Sequence, residues 1–367
     1  MIIDKYKKIP KVTYSHVGHF HEGFAYICRK GKYGFINRNG KIAIPCIYEK
    51  VRDFSEGLAA VCKNEKWGFI DQQGDLVIPC VYDNVSPFSD GLSIVLAGGD
   101  SWYYIDKGGY KRIEGVYTAS SLFSEGLCVV RDKDYRVGCI DKEGKVIIPF
   151  EYDDIDEFQG GLARIRYRSQ KDKCGFINTK GELVIPIEYM SDMSSNTKDD
   201  HIYLTKDGEY WDLFDKKGNI LKSGIKAKLI EEMSEGVAVI NNEEGAGVID
   251  AKGRIVVPCK YDYLTQSSEG LLSVYGDAYH GFIDHQGNEV IPLEYTTVSP
   301  FSDGLALVLT VEFDLISAVE KAAFIDKHNN AVILLRKEGE RKRLIPYLIL
   351  GAITLLIPIL YVIIEEL

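Results

Sequence analysis

Apolar residues along this chain come in short bursts separated by turn-forming residues, and one stretch shows the grammar. LAAVCK at 58–63 is closed by Asn64-Glu65, KWGFID at 66–71 by Gln72-Gln73-Gly74, and DLVIP at 75–79 by its proline. β-branched and aromatic residues at this density suit a half-buried pleated surface, so each burst predicts a strand. Asp71 can accept backbone N–H groups at the turn's first position, and Gly74 can take positive φ at its exit. Pro79 has no N–H for a ladder and predicts the strand's end. The segment therefore reads as a three-stranded meander, with a short fourth strand near 82–85.

The grammar repeats. Asp/Asn-x-x-Gly begins at Asn37, Asp71, Asp106, Asp141, Asn178, Asp215, Asp250 and Asp284, with a weaker DKHN at Asp326. Successive spacings are 34, 35, 35, 37, 37, 35, 34 and 42 residues, which gives nine units. In phase with these turns run acidic-Gly pairs at Glu22, Glu56, Asp90, Glu125, Glu235, Glu269 and Asp303, and Ile/Val-Pro pairs ending at Pro45, Pro79, Pro149, Pro186, Pro258 and Pro292. A tyrosine follows each proline, at 48, 82, 152, 189, 261 and 295. Units 3, 6 and 9 depart from the pattern. Unit 9 also carries an insertion at 309–323, in which 313–323 reads as helical.

These phased positions (GLA-x-V, KWGFID-x-x-G, VIP and YD) resemble the WG-repeat, or KWG-repeat, family over residues 18–335. The Trp-Gly pair itself is intact only at Trp67-Gly68; Tyr33, Val137, Cys174, Ala246 and His280 precede the glycine elsewhere. The resemblance implies an all-β repeat protein and brings no catalytic residues with it.

A single meander cannot bury its apolar face, so neighbouring units must stack. A period near 34 residues suits three strands, and nine units exceed the usual blade count of a propeller. An open, twisted β-solenoid-like stack of three-stranded meanders is the expected architecture, with a β-propeller as the alternative and worn terminal units as caps. Domain organisation follows: a lead-in at 1–17, the array at 18–335, a basic segment at 336–343, an apolar span at 344–364 and a short tail at 365–367.

That span, LIPYLILGAITLLIPILYVII, holds 21 residues without a charge. At about 1.5 Å per helical residue it matches a hydrocarbon core of roughly 30 Å, so it predicts a transmembrane helix. Five basic residues in RKEGERKR precede it, and Glu365, Glu366 and Leu367 follow. The positive-inside rule then places the array in the cytoplasm, held by a C-terminal tail anchor. The start of the chain has no apolar run of signal-peptide length.

The formal net charge of -10 argues against a phosphate-backbone binder. No phosphate loop, nucleophile elbow, zinc-protease or calcium-loop pattern is present, so no catalytic, cofactor or metal residues are assigned. His16, His19 and His21 lack a nearby fourth ligand and read as surface residues. Cys46, Cys80 and Cys259 share one repeat position with Phe150, Ile187 and Leu293, which marks a buried apolar slot. The candidate interaction ladder is Glu22, Glu56, Asp90, Glu125, Glu235, Glu269 and Asp303: stacked in register these could bind a basic peptide, or each could cap its own turn.

The expected function is a non-enzymatic, membrane-anchored binding or scaffold module with a protein or peptide partner. The alternative is a carbohydrate- or envelope-binding module on the outer face, which needs the reversed topology.

Overall fold

The computed structural model describes residues 9–337 and 343–344, except 100, 116, 168, 170–172, 191–198 and 314–316. Every regular element among the described residues is a β-strand, and no helix there is long and apolar enough to cross a membrane. The strands form nine sheets. In the second, Lys50–Ser55, Leu58–Lys63, Lys66–Asp71 and Leu76–Tyr82 pair antiparallel in chain order.

The short fourth strand expected near 82–85 is present, but it belongs to the next sheet. Asn84–Val85, at the end of unit 2 in sequence, is the first strand of the third sheet, where it pairs with Leu92–Ala97. First strands of two residues also open the first, fifth, seventh, eighth and ninth sheets. Two residues carry no alternation, which is why the hydrophobic pattern does not show which sheet such a strand joins. The sixth sheet has three described strands, from His201–Thr205 to Ile220–Lys226.

The array does not end in caps. Lys11–Tyr14 pairs parallel with Ala331–Lys337, the last long strand, in the register Lys11↔Leu334 to Tyr14↔Lys337. Around this seam Val12, Phe20 and Ile27 share one buried cluster with Phe324, Ile333 and Leu335. The Phe20 and Phe324 rings meet edge to face at 4.8 Å. The first sheet therefore covers the ninth, and the open solenoid gives way to the alternative: a closed nine-bladed β-propeller. Apolar faces that a solenoid would leave for caps bury each other instead.

Pro79 does not end its strand. Leu76–Tyr82 runs through it, and the register jumps from Phe69↔Ile78 to Trp67↔Tyr82. The proline sits in a bulge, where its missing N–H leaves no gap in the ladder. That bulge folds over Gly68, where an added Cβ would lie 2.7 Å from the Pro79 carbonyl carbon and from Cys80 N. Gly34, Gly138, Gly175, Gly247 and Gly281 are covered in the same way. Units 3, 6 and 9 carry Tyr103, Asp212 and Ala323 at this position and have no Ile/Val-Pro bulge. Glycine and proline are present together or absent together because one makes room for the other.

The insertion is not helical. Ala306–Phe313 and Ser317–Ile325 form a long hairpin, and Arg343–Leu344 pairs with Ser317 and Ala318 near its end. The span expected at 344–364 lies, from 345 onward, outside the described residues, as do 338–342.

Strand direction alternates within each blade. Turns between the first and second strands therefore share one face of the ring, here the upper face, with the Asp/Asn-x-x-Gly turns. Hairpins between the second and third strands share the lower face with the links from blade to blade.

Candidate functional site

Each Asp/Asn-x-x-Gly turn is closed by its leading side chain. Asp71 Oδ1 accepts the N–H groups of Gln73 (3.0 Å) and Asp75 (2.9 Å). Asn37 and Asp284 hold the same pair of amides in their turns. The first turn position is therefore engaged in turn formation throughout the ring.

The acidic-Gly residues reach from blade to blade. Gly57 N–H donates to Glu22 (2.9 Å), Gly91 N–H to Glu56 (3.0 Å), Gly126 N–H to Asp90 (2.6 Å) and Gly161 N–H to Glu125 (2.8 Å). Gly270 N–H donates to Glu235 (2.8 Å) and Gly304 N–H to Glu269 (3.0 Å), and Gly23 N–H donates to Asp303 (2.6 Å), which joins the last blade to the first. Asp199, in the worn sixth unit, serves Gly236 in the same way (2.8 Å). The ladder residues thus run around the rim, with a gap between blades 5 and 6, and each carboxylate holds the next blade's turn. Their φ angles, between 52° and 56°, lie in the left-handed region. That backbone is unfavourable for a residue with a Cβ by about 1 kcal/mol, which a charge-assisted bond offsets.

A second link runs the same way, through a residue that the sequence pattern alone did not single out. Ser55 Oγ donates to the Phe88 carbonyl (2.7 Å), Ser89 to Phe123 (2.6 Å), Ser124 to Phe158 (2.6 Å), Ser268 to Phe301 (2.6 Å) and Ser302 to Phe20 (2.6 Å). The signal was present in the sequence as Phe-Ser-acid-Gly. A serine side chain is short, so neighbouring turns approach closely and must crowd the inner rim. Blade 5 departs from this, with Gln159-Gly160 in place of Ser-acid. Lys216 still donates to the Gly160 carbonyl (2.9 Å), as Lys107 does to Glu56 and Lys327 to Glu269.

Between blades 1 and 2 lies a cavity of about 730 Å³, bordered by Tyr26, Tyr33, Asp53, Phe54, Trp67 and Arg52 among others. Arg52 sits over the Trp67 ring at 5.2 Å and donates to Asn84 Oδ1 (3.2 Å). Asp53 Oδ2 stands 3.8 Å from His21 Nε2, whereas Oδ1 is buried without a hydrogen-bond partner. Burial pushes the Asp53 carboxyl up, against the pull of His21 and His19, and burial pushes His19 down. Among the described residues no three His, Cys, Asp or Glu side chains gather as a metal-binding group. All eight cysteines are free thiols, and Cys80 Sγ packs toward the Val61 carbonyl at 3.8 Å.

Sequence comparison places these units in a known family. The model of the WG-containing repeat matches six segments, 33–67, 67–99, 138–169, 175–190, 247–275 and 281–310. The chain is a WG-repeat protein. Each matched segment begins at, or one residue after, the position equivalent to Trp67, and the glycine-less positions 103, 212 and 323 all fall outside the matches. No curated protein shows significant sequence similarity to it.

Among solved structures, the WG-repeat chain is similar to BamB from Moraxella catarrhalis, with 12% identity, a TM-score of 0.36, and 86% of this chain and 94% of that one covered. It is similar to Hsv2p of Kluyveromyces lactis at 10% identity and a TM-score of 0.38, covering 77% and 99%. For a eukaryotic initiation factor the values are 12%, 0.44, 85% and 84%. No functional statement follows from likenesses this remote.

In the WG-repeat ring the tryptophan is the variable partner. Trp67 is half-buried beside Tyr82, whereas Trp211 is fully buried and donates from Nε1 to the Ala227 carbonyl (3.2 Å). Cys174 and Ala246 are also fully buried at the equivalent position. The slot accepts many side chains because the bulge contacts the following glycine.

Proposed function

We propose that this protein is a non-enzymatic scaffold whose propeller binds a protein partner and whose C-terminal span holds it on a membrane. The observation that carries the reading lies on the outer strands. Residues before the recurring tyrosine are charged in blades 4, 5, 7 and 8, at Glu151, Glu188, Lys260 and Glu294. Blades 1 and 2 instead carry Ile47 and Val81, exposed to 51% and 57%. Edge strands are normally protected by charge, and two adjacent unprotected edges favour a protein contact. Leu76, on the same outer strand of blade 2, is also exposed.

The membrane part of the reading rests on the uncharged 344–364 and on the point where the chain leaves the ring. Arg343–Leu344 follows the long hairpin of blade 9, on the lower face. A span continuing from there would turn that face toward the lipid and leave the upper rim facing away.

Crosslinking in the native membrane, followed by partner identification, tests the scaffold. A partner recovered with the wild type and lost with the Ile47→Glu, Val81→Glu double variant supports it. Equal recovery with both removes the outer strands from the reading. Extraction of the protein by alkaline carbonate would exclude the membrane span. Digestion of the array by protease added outside intact cells would reverse the proposed cytoplasmic placement.

A further inference from the structure

The first strand of blade 2 differs from those of blades 3 and 9. Blades 3 and 9 carry Val-Ser-Pro-Phe, at 85–88 and 298–301, where blade 2 carries Val51-Arg52-Asp53-Phe54. Its strand is six residues long, against two in those blades. A carboxylate therefore stands where blades 3 and 9 have a proline and blade 1 has His19, as Glu157 and Glu232 do in blades 5 and 7, and in Asp53 the Oδ1 is buried with no partner. A buried polar oxygen without a hydrogen bond is unfavourable, and that marks it as a position awaiting a donor.

The walls around it suit one kind of donor. The Tyr26 and Tyr33 rings are 6.1 Å apart and inclined at 59°, so they form a corner on the blade 1 side. Tyr26 and Asp53 border the same cavity, and after burial the charge of Asp53 raises the Tyr26 hydroxyl. Across the cavity, Trp67 already carries the Arg52 guanidinium, showing that an aromatic wall here accepts a cation. Ring faces attract cations through their quadrupole, and a carboxylate adds a directional, charge-assisted bond. An anion would stand against Asp53 and leave the same oxygen unpaired. Lys50 and His16, both exposed, also border the cavity. The Lys50 charge disfavours a polybasic run and selects a single cation.

We propose that the cavity between blades 1 and 2 binds one organic cation, a primary ammonium or guanidinium, which pairs with the Asp53 carboxylate and packs against Tyr26 and Tyr33. The group is of the kind that ends a lysine or arginine side chain. This proposal does not rest on the outer-strand surface at Ile47 and Val81, and it can fail without touching that reading.

The test is calorimetric titration of the full-length protein in detergent with butylammonium, butylguanidinium and butyrate. In parallel arms, an alanine-rich peptide with one central lysine is compared with the same peptide carrying norleucine. The two cations should bind saturably at one site and butyrate should not. A lysine peptide tighter than butylammonium identifies a protein side chain as the source, and a weaker one identifies a free amine. Asp53→Asn should weaken binding at least about tenfold, as loss of a charged hydrogen-bond partner does. Tyr26→Leu, a second probe should Asp53→Asn not fold, should weaken it several-fold, and Glu143→Gln on the upper face of blade 4 should leave it unchanged. Butyrate binding, or cation binding that survives Asp53→Asn, overturns the proposal, as does the absence of saturable cation binding.

Discussion

The carboxylate of Asp303 accepts the backbone N–H of Gly23 at 2.6 Å across 280 residues of sequence. Beside it, Ser302 Oγ donates to the Phe20 carbonyl, so the joint between last and first blades uses the same two bonds as joints between sequence neighbours. Closure therefore needs no dedicated device at the rim. It repeats the local rule once more, and the parallel strand Lys11–Tyr14 adds to it.

The rim bonds should be measurable one at a time. Glu56 accepts from Gly91 and also pairs with Lys107 at 3.1 Å, with its side chain 30% exposed. Glu56→Ala should cost about 1–2 kcal/mol, the partial exposure keeping it below the value for a buried charged bond. Glu143→Ala, in an exposed turn, should cost less than about 0.5 kcal/mol. Thermal melts of the two variants check this, and equal midpoints would remove the rim from the stability of the ring.

Two glycines should respond differently to one methyl group. At Gly68 an added Cβ meets the Pro79 backbone, so Gly68→Ala should cost about 3 kcal/mol through overpacking. Gly57 has nothing within 4 Å but a φ of 85°, so Gly57→Ala should cost only the backbone strain, about 1 kcal/mol. Urea unfolding ranks them, and the reverse order would contradict the bulge as the reason for the recurring glycine.

Blade 5 lacks the rim carboxylate, yet Gly160 has a φ of 58°, almost that of Glu56 at 54°. Gly160→Glu should therefore fit the backbone and offer Lys216 the partner that Glu56 gives Lys107. A gain of up to about 1 kcal/mol is expected, typical of a well-placed exposed ion pair. A lower melting midpoint would show that the joint between blades 5 and 6 has a different geometry.

Acid should loosen the turns. Asp215 is held below the usual carboxylate range by the Asn219 side chain and amide. In Asp106, Asp250, Asp284 and Asp326 burial pushes up but is outweighed by amide and side-chain donors. A depressed folded pKa gives stability that is fully present above the unfolded value, about 3.9, and lost as pH falls through the folded one. The melting midpoint should be steady near neutrality and drop below about pH 4. Asp284→Asn should reduce that sensitivity while folding normally at pH 7, because Asn37 and Asn178 already close equivalent turns. A midpoint unchanged between pH 7 and pH 3 would falsify the linkage.

Residues acting within one unit were the most legible. Asp71 and Gly74 announce their turn, and the alternation at 66–71 announces its strand, because both are set by contacts a few residues apart. The rim was legible as a row of acids and not as bonds, since Glu22 finds its partner 35 residues away in the next blade. Asp53 was invisible. Its repeat position varies freely, with His19, Pro87, Leu122, Glu157 and Pro300 elsewhere, and only the walls built by Tyr26 and Tyr33 of another blade give it a setting.

The sequence by itself determined a β-repeat chain of nine units, its turns and its family, because each unit repeats its own local chemistry. It left open whether the units stack in a line or a ring, since two-residue strands such as Asn84–Val85 leave no periodic mark. Only the tertiary structure decided closure. Whether the ninth blade meets the first depends on the angle added at every joint, and that angle is set by packing between blades.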